Sequence, residues 1–361
     1  MTDLRLWVGL DLGSYRSSIC VLNAVGEVQR EALAETTLEA IQSVLSDFPK
    51  EAISLIGVEA GSGHNLVRKL RAAQYPVAIF EARAASKILA LNRNKTDRND
   101  AKGLAEIARL ARDAVPRVHL KGVECQRLRA QLALRQQLVR QRVAIEGALR
   151  SMFEQHGGKF GSIRSDIGFR TAVSRELERV ESEENLDLSV DVEPLAALGE
   201  ATRHYLTSLN AKFRTLASEH PVCSNFITIP GVGPICALSF YSLIEDPHRF
   251  GSAADVGAYL GLTPRIHSSG TMSKRCGISR MGNRMTRSHL VMAARVILGL
   301  SHQETALRSW GRTLVARIGH RRAQVAVARK LAILMLSMWR SGQPFSSSPA
   351  PAPESSCGSM R

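Results

Sequence analysis

Residues 4–12 read Leu-Arg-Leu-Trp-Val-Gly-Leu-Asp-Leu, an apolar run with an acid, Asp11, near its end, followed by Gly13-Ser14. A run this short, bounded by turn residues, is a buried strand. Working outward, residues 17–23 (SSICVLN) read as a second strand and residues 27–30 start a third. Residues 37–48 place Leu38, Ile41, Val44 and Leu45 on one helical face. Ile53–Glu59 (ISLIGVE) repeats the opening pattern, a buried strand closing on an acid, and Ala60-Gly61-Ser62-Gly63 follows. Residues 66–73 are helical and Val77–Phe80 is a short strand. The order β-β-β-α-β-α-β is that of a mixed α/β domain, in which reactive groups gather at strand ends.

Asp11 and Glu59 are poorly explained by packing, because a buried acid is costly unless it is paired or bound to metal. Residues 94–102 (NKTDRNDAK) lead into a helical run with Asp97 and Asp100 three apart, on one face. The plainer account of that pair is an acidic first turn suiting the helix dipole. Four carboxylates, two at strand ends and two on one turn, form a hard-oxygen set suited to Mg²⁺ or Mn²⁺. Two such ions could activate a nucleophile and stabilise a leaving oxygen in phosphoryl transfer. The order strand-Asp, hairpin, strand-Glu, helix-Asp resembles the RNase H-like fold of the RuvC type. Asp11-Leu12-Gly13-Ser14 also looks like the first phosphate motif of the actin and sugar-kinase ATPases, but no second D-x-G strand or adenosine motif follows.

The chain has 361 residues, with 48 Lys and Arg against 33 Asp and Glu, a net charge of +15. Such a balance points to a polyanion, nucleic acid first. Six scattered cysteines with no C-x-x-C argue against a zinc site or a disulfide framework and fit a reducing cytoplasm. No apolar run reaches membrane-spanning length, and the first residues run into the strand pattern without a signal-peptide pattern.

Residues 124–155 form a long helix with Arg127, Arg129, Arg135, Arg140, Arg142 and Arg150 among its apolar positions. Residues 162–193 turn acidic from Glu176 onward and are expected to be exposed. Residues 194–217 are helical again and would return antiparallel to the first helix. The arm is either a plain helical hairpin or a coiled-coil dimerisation arm with a basic face toward nucleic acid. Residues 226–234 (FITIPGVGP), followed by a helix, resemble the turn of helix-hairpin-helix modules, where backbone amides near Gly231 and Gly233 would hold a phosphate. A tight turn alone would also call for these glycines.

Residues 261–290 (GLTPRIHSSGTMSKRCGISRMGNRMTRSHL) carry Arg265, Lys274, Arg275, Arg280, Arg284 and Arg287, with no acid between 264 and 287. They read as a basic, glycine-punctuated loop able to approach phosphate, or as a solvated basic loop. Residues 307–340 hold eight basic residues and no acid, with Val325, Ala328, Leu331, Ala332, Met335 and Met338 read as core. The expected division is 1–117, 118–220, 221–345 and a disordered tail at 346–361.

Assembled, these motifs closely resemble the DEDD transposases of the insertion-sequence 110 type and the related Piv-type DNA invertases, over about residues 5–345. The matching stretches are GLDLG at Asp11, GVEAGSGHN at Glu59, NKTDRNDAKGLAEIAR at Asp97 and Asp100, IPGVGPICAL, FGSAADVGAYLGLTP, Ser269-Gly270, GISRMGNRMTRSHL and AQVAVARKLAILMLSMWRSGQPF. Two departures are Ser268, where Gln often precedes the serine, and Arg280, where Lys is common. The resemblance implies a RuvC-like domain, a helical arm and a mainly helical C-terminal domain. It implies that Ser269 attacks a DNA phosphodiester to form a phosphoserine link, with Mg²⁺ on Asp11, Glu59, Asp97 and Asp100. Ser268 leaves open which hydroxyl acts. It also implies double-stranded DNA and a structured noncoding guide RNA as partners, a dimer or tetramer whose site is composite, and a cytoplasmic, nucleoid-associated place. Transposition, inversion and hydrolysis by metal-activated water all remain compatible with the residues, as does a non-catalytic binding protein with structural acids.

Overall fold

The structure, a computed structural model, describes residues 5–61, 63–90, 96–111, 113–161, 166–269, 272–301 and 303–346. For 166–167, 266–269 and 272–276 it describes the backbone alone. Nearly all of the expected disordered tail lies outside these residues. The chain divides into two compact units, Met1–Lys121 and Gly122–Arg361.

The first unit is a five-stranded sheet, β1 (Leu6–Leu12), β2 (Arg16–Leu22), β3 (Val28–Glu35), β4 (Ile53–Glu59) and β5 (Val77–Phe80), in the order β3-β2-β1-β4-β5. β1 to β3 form an antiparallel meander, and β4 and β5 add in parallel to β1. Two-residue alternation sorts the side chains. Leu6, Val8, Leu10, Ile56 and Val58 join the core shared with α1 (Leu38–Leu45) and α2 (His64–Ala72). Trp7, Leu55, Ala78 and Phe80 face the opposite layer of α3 (Ala82–Leu89) and α4 (Asp97–Leu110). Parallel strands buried on both faces need this continuous apolar sequence. The topology is consistent with the expected RuvC-like fold, and α3 was not anticipated from the sequence.

The second unit is mainly helical. α5 (Val123–Gln155), α6 (Asp166–Glu184) and α7 (Ser189–Glu219) form its arm. Leu128 and Leu132 near the start of α5 pack with Phe213 and Ala217 near the end of α7, while Ile145, Leu149 and Phe153 pack with Val192 and Ala196. The two long helices are therefore antiparallel. Residues 162–193 depart from expectation. Most of the segment is helix, and Phe169, Val173 and Val180 are buried at a spacing of four and seven. Its acids from Glu178 onward are exposed, whereas Glu176 is buried beside Arg175 and Arg179.

α8 (Pro221–Ile227), α9 (Pro234–Ile244), α10 (Asp255–Tyr259), the hairpin β6 (Pro264–Ser269) with β7 (Met272–Ile278), α11 (Arg284–Gly299), α12 (Ala306–Ile318) and α13 (His320–Ser341) complete the unit. α9, eleven residues long, is apolar on almost every face and forms its centre. Gly319, at φ 81°, separates α12 from α13. No described helix is long and apolar enough to cross a membrane.

Candidate nucleic-acid-processing site

Two glycines position the acids of the first unit. Gly9 and Gly57 are register partners on β1 and β4. A Cβ on Gly9 would lie 1.9 Å from the Ala101 carbonyl oxygen, and one on Gly57 2.9 Å from that of Leu104. α4 therefore lies directly on the backbone of both strands. Asp11 and Glu59 each follow two residues later and so emerge on the same face, at the C-terminal ends of neighbouring parallel strands. Both are half-buried. Ser18, buried on β2, is the register partner of Asp11.

Thr96 caps α4, its hydroxyl accepting the Asn99 amide hydrogen bond at 3.2 Å. Asp97 and Asp100 thus occupy the first turn, Asp97 exposed and Asp100 half-buried. That turn is held by an ion pair from Arg98 to Glu31 of β3, which raises the Arg98 pKa. Under the same helix Cys20 is buried, and burial followed by the Glu31 charge pushes its thiol up to about 11. Cys20 stays protonated and is packing rather than a nucleophile.

All four acids thus sit on the α4 side of the sheet. Among the described residues, no three His, Cys, Asp or Glu side chains form a ready-made cage for an ion. The donor chemistry nonetheless fits Mg²⁺, which keeps several waters and is held by one or two carboxylates together with substrate phosphates.

In the second unit the stretch read as a basic loop is a two-stranded hairpin. Ser269 pairs with Met272 and Ser268 with Ser273, leaving two residues between the strands. The Ser-Gly-Thr-Met sequence carried that signal, because a two-residue connection with Gly first is a favoured hairpin turn. Ser269 is the last residue of β6, but its side chain, with those of Ser268, Lys274 and Arg275, lies outside the described residues. Arg265 is exposed.

At the base of the hairpin Gly261 and Gly282 adopt φ of 66° and 76° because the chain passes against itself there, and Arg280 also has a positive φ of 56°. Arg287 Nη1 donates to the carbonyls of Leu260 and Met281, each at 3.0 Å. Burial, then the charges of Arg280 and Arg284, lower the Arg287 pKa. Three cations therefore repel one another at one place, with Arg280 and Arg284 exposed and Arg287 held on the backbone.

Gly231 (φ 92°) is needed for packing, since a Cβ there would meet Ile297 Cγ1 at 2.8 Å. Gly233 caps α9, is exposed and has open space around it. In the arm, Arg135 donates to Asn210 at 2.7 Å and Arg150 to the Phe160 carbonyl at 2.9 Å, and Arg142 lies 3.5 Å from Glu146. Arg127 and Arg140 stay exposed.

Residues 223–309 match the family model described as the transposase IS116/IS110/IS902 family, and residues 8–157 match the transposase model of the IS110 DEDD type. The transposase for insertion sequence element IS1111A of Coxiella burnetii is 33% identical over 248 residues, 68% of this chain and 66% of that protein. The putative transposase y4pF/y4sB of Sinorhizobium fredii is 27% identical over 94% of this chain and 85% of its own. The pilin gene-inverting protein of Moraxella lacunata is 30% identical over 119 residues, 33% of this chain and 37% of its own.

Proposed function

Because the chain belongs to the IS110-type DEDD transposases, we propose that it cuts and rejoins DNA through the hydroxyl of Ser269. One observation carries this reading. The two matched segments contain the four carboxylates and Ser269 respectively, and Asp11 and Glu59 stand at neighbouring strand ends on the face that α4 covers.

The Ser269 oxygen would attack a backbone phosphorus, forming a phosphoserine ester as one DNA oxygen leaves with a proton. One ester replaces another, so the reverse attack by a DNA hydroxyl can rejoin a strand without outside energy. Serine is a weak nucleophile and needs activation. Asp11, Glu59, Asp97 and Asp100 would hold Mg²⁺ or Mn²⁺, which supplies Lewis-acid stabilisation of the phosphate oxygens when bound. Arg280 and Arg284 would offset phosphate charge as it builds, while Arg287 braces the segment that carries them. Double-stranded DNA is the substrate. A structured noncoding RNA and further copies of the chain, completing a composite site, are the partners this reading takes from the family. A second reading, inversion of a DNA segment, is favoured by the likeness to the pilin gene-inverting protein. It uses the same chemistry on differently arranged ends.

The test incubates purified protein with Mg²⁺, DNA of the element ends and the element's noncoding transcript, then looks for a protein–DNA adduct after denaturation. The expected adduct is lost in Ser269→Ala and kept in Ser268→Ala. Cleaved DNA without an adduct would replace the serine by water and leave Ser269 a phosphate-binding residue.

A further inference from the structure

α13 has two faces. One, with Val327, Leu331, Ala332 and Met335, is core. The other, with Arg321, Arg322, Val325, Ala326, Arg329 and Lys330, recurs at a spacing of four and lines a cavity of about 990 Å³. Trp310 of α12 and Ile278 and Arg280 near the base of the hairpin close the other sides. The cavity therefore has an apolar floor of Trp310, Val325, Ile333 and Ile278, and a cationic wall of Arg280, Arg321, Arg322, Arg329 and Lys330.

None of the described lining residues is acidic, and among the described residues none of the five cations makes an ion pair. Arg329 Nε is buried without a hydrogen-bond partner, an arrangement that costs free energy unless an acceptor arrives. Lys330 Nζ sits 4.4 Å from the Trp310 ring centroid. A site with flat apolar surface below and unpaired guanidinium forks around it asks for a ligand that is aromatic and polyanionic at once. A nucleic-acid strand with its bases unpaired has that chemistry. A duplex, whose bases are stacked inside, would use the wall and waste the floor.

We infer that this cavity takes a short unpaired segment of DNA, its bases against Trp310, Val325 and Ile333 and its phosphates on Arg321, Arg322 and Arg329. The choice of DNA rests on the proposed function. Pro264 lines the cavity and Ser269 ends the same strand five residues on, about 17 Å at the rise of a β-strand. A segment held here therefore lies within a few nucleotides of the serine. The cavity would keep a few bases beside the cut apart from their partners, so that an exchanged strand can pair anew.

The full chain is titrated with a fluorescein-labelled oligothymidine ten-mer, with a DNA duplex of equal length and with oligouridine. Tryptophan emission, which comes from only 3 residues, is followed alongside anisotropy. The single strand should quench tryptophan, and the quench should vanish in Trp310→Phe. Trp310→Ala should weaken single-strand binding by about 5- to 150-fold, the range for loss of one stacking platform, with duplex binding changed less than threefold. Arg322→Glu, on an exposed residue that cannot unfold the core, should likewise weaken single-strand binding at least tenfold. Equal losses for single strand and duplex in Trp310→Ala, or no Trp310 quench, would overturn the inference. A tenfold preference for oligouridine would overturn the assignment to DNA. Loss of the pocket phenotype with the Ser269 adduct intact sinks this inference alone. Single-strand binding without any adduct supports it while sinking the serine chemistry.

Discussion

Gly9 and Gly57 lie side by side on two parallel strands, and α4 occupies the hollow left by their missing side chains. The nearest atoms to an added Cβ at Gly9 are backbone, so no side chain can swing away. Gly9→Ala must lift α4, at a cost of about 3 kcal/mol or more. Gly61→Ala, with nothing within 4 Å, should stay within about 0.5 kcal/mol of the parent. Denaturant unfolding of the two variants checks the contrast. Lifting α4 also displaces Asp97 and Asp100, so Gly9→Ala should lose DNA joining together with stability.

Asp11 and Glu59 give a different separation. Asp11→Asn and Glu59→Gln keep size and one acceptor oxygen but remove charge. Both should lower DNA joining at least about 100-fold, since preorganised charge at a phosphoryl centre supplies several kcal/mol. Melting temperatures should move little, and Mg²⁺ binding followed by calorimetry should weaken in both. Wild-type joining in either variant would leave the acids a structural role only.

Much of the first unit was legible because its signals are local. Ile53–Glu59 and Val77–Phe80 fall where composition placed them, since parallel strands buried on both faces read as unbroken apolar runs. α6 was obscured by its acids. Phe169, Val173 and Val180 fit a helical period, but Glu178, Glu181, Glu183 and Glu184 dominate the composition of the outward faces. The hairpin at Ser269 was obscured by its charge, since a basic composition outweighed the local two-residue turn signal, and contacts between elements far apart in sequence leave no local signal at all. The same limit hid the cavity beside α13. Arg321-Arg322 and Arg329-Lys330 are plain in the sequence, but only folding brings Trp310 and Ile278 opposite them.

Arg203 is almost wholly buried and donates to Glu146 at 2.5 Å, with its guanidinium 4.8 Å from the centre of the Phe169 ring. It clamps α7 to α5 and α6. Arg203→Ala should cost about 3–5 kcal/mol because the largely buried Glu146 would keep only Arg142, at 3.5 Å, as compensation. Arg203→Met with Glu146→Leu should recover most of that loss. A double variant as unstable as the single one would mean that the pair supplies net attraction rather than merely avoiding an orphaned charge. Thermal unfolding in low and high salt distinguishes these outcomes.

His289 on α11 is largely buried, its Nδ1 without a hydrogen-bond partner among the described residues. Burial, then the Arg135 charge, pushes its pKa down to about 4. The unfolded chain, near 6.5, binds the proton more readily than the folded one. Stability is therefore fully present above about pH 6.5 and falls as pH drops toward 4, by roughly 2–3 kcal/mol. In the second unit, thermal stability should fall over that window, and His289→Gln should flatten the profile. An unchanged slope in the variant would show that other groups drive the acid loss.

Arg284 and Arg287 are three apart on one helix but should fail in different ways. Arg287 spends its guanidinium on the Leu260 and Met281 carbonyls, so Arg287→Ala orphans two acceptors at the hairpin base and should cost about 1–3 kcal/mol. Arg284 is exposed, and Arg284→Ala should leave stability within about 0.5 kcal/mol. If Arg284 meets phosphate, its loss should weaken duplex DNA binding uniformly across sequences and reduce the salt slope by about one. Lysine at 284 should restore the slope, because a point charge suffices for a phosphate. Lysine at 287 should not restore stability, because an ammonium lacks the planar fork that spans two carbonyls. Binding measured at several salt concentrations, beside melting curves of the four variants, separates the contact from the brace. If Arg287→Lys rescued the fold while Arg284→Lys left the slope depressed, the two roles assigned here would be reversed.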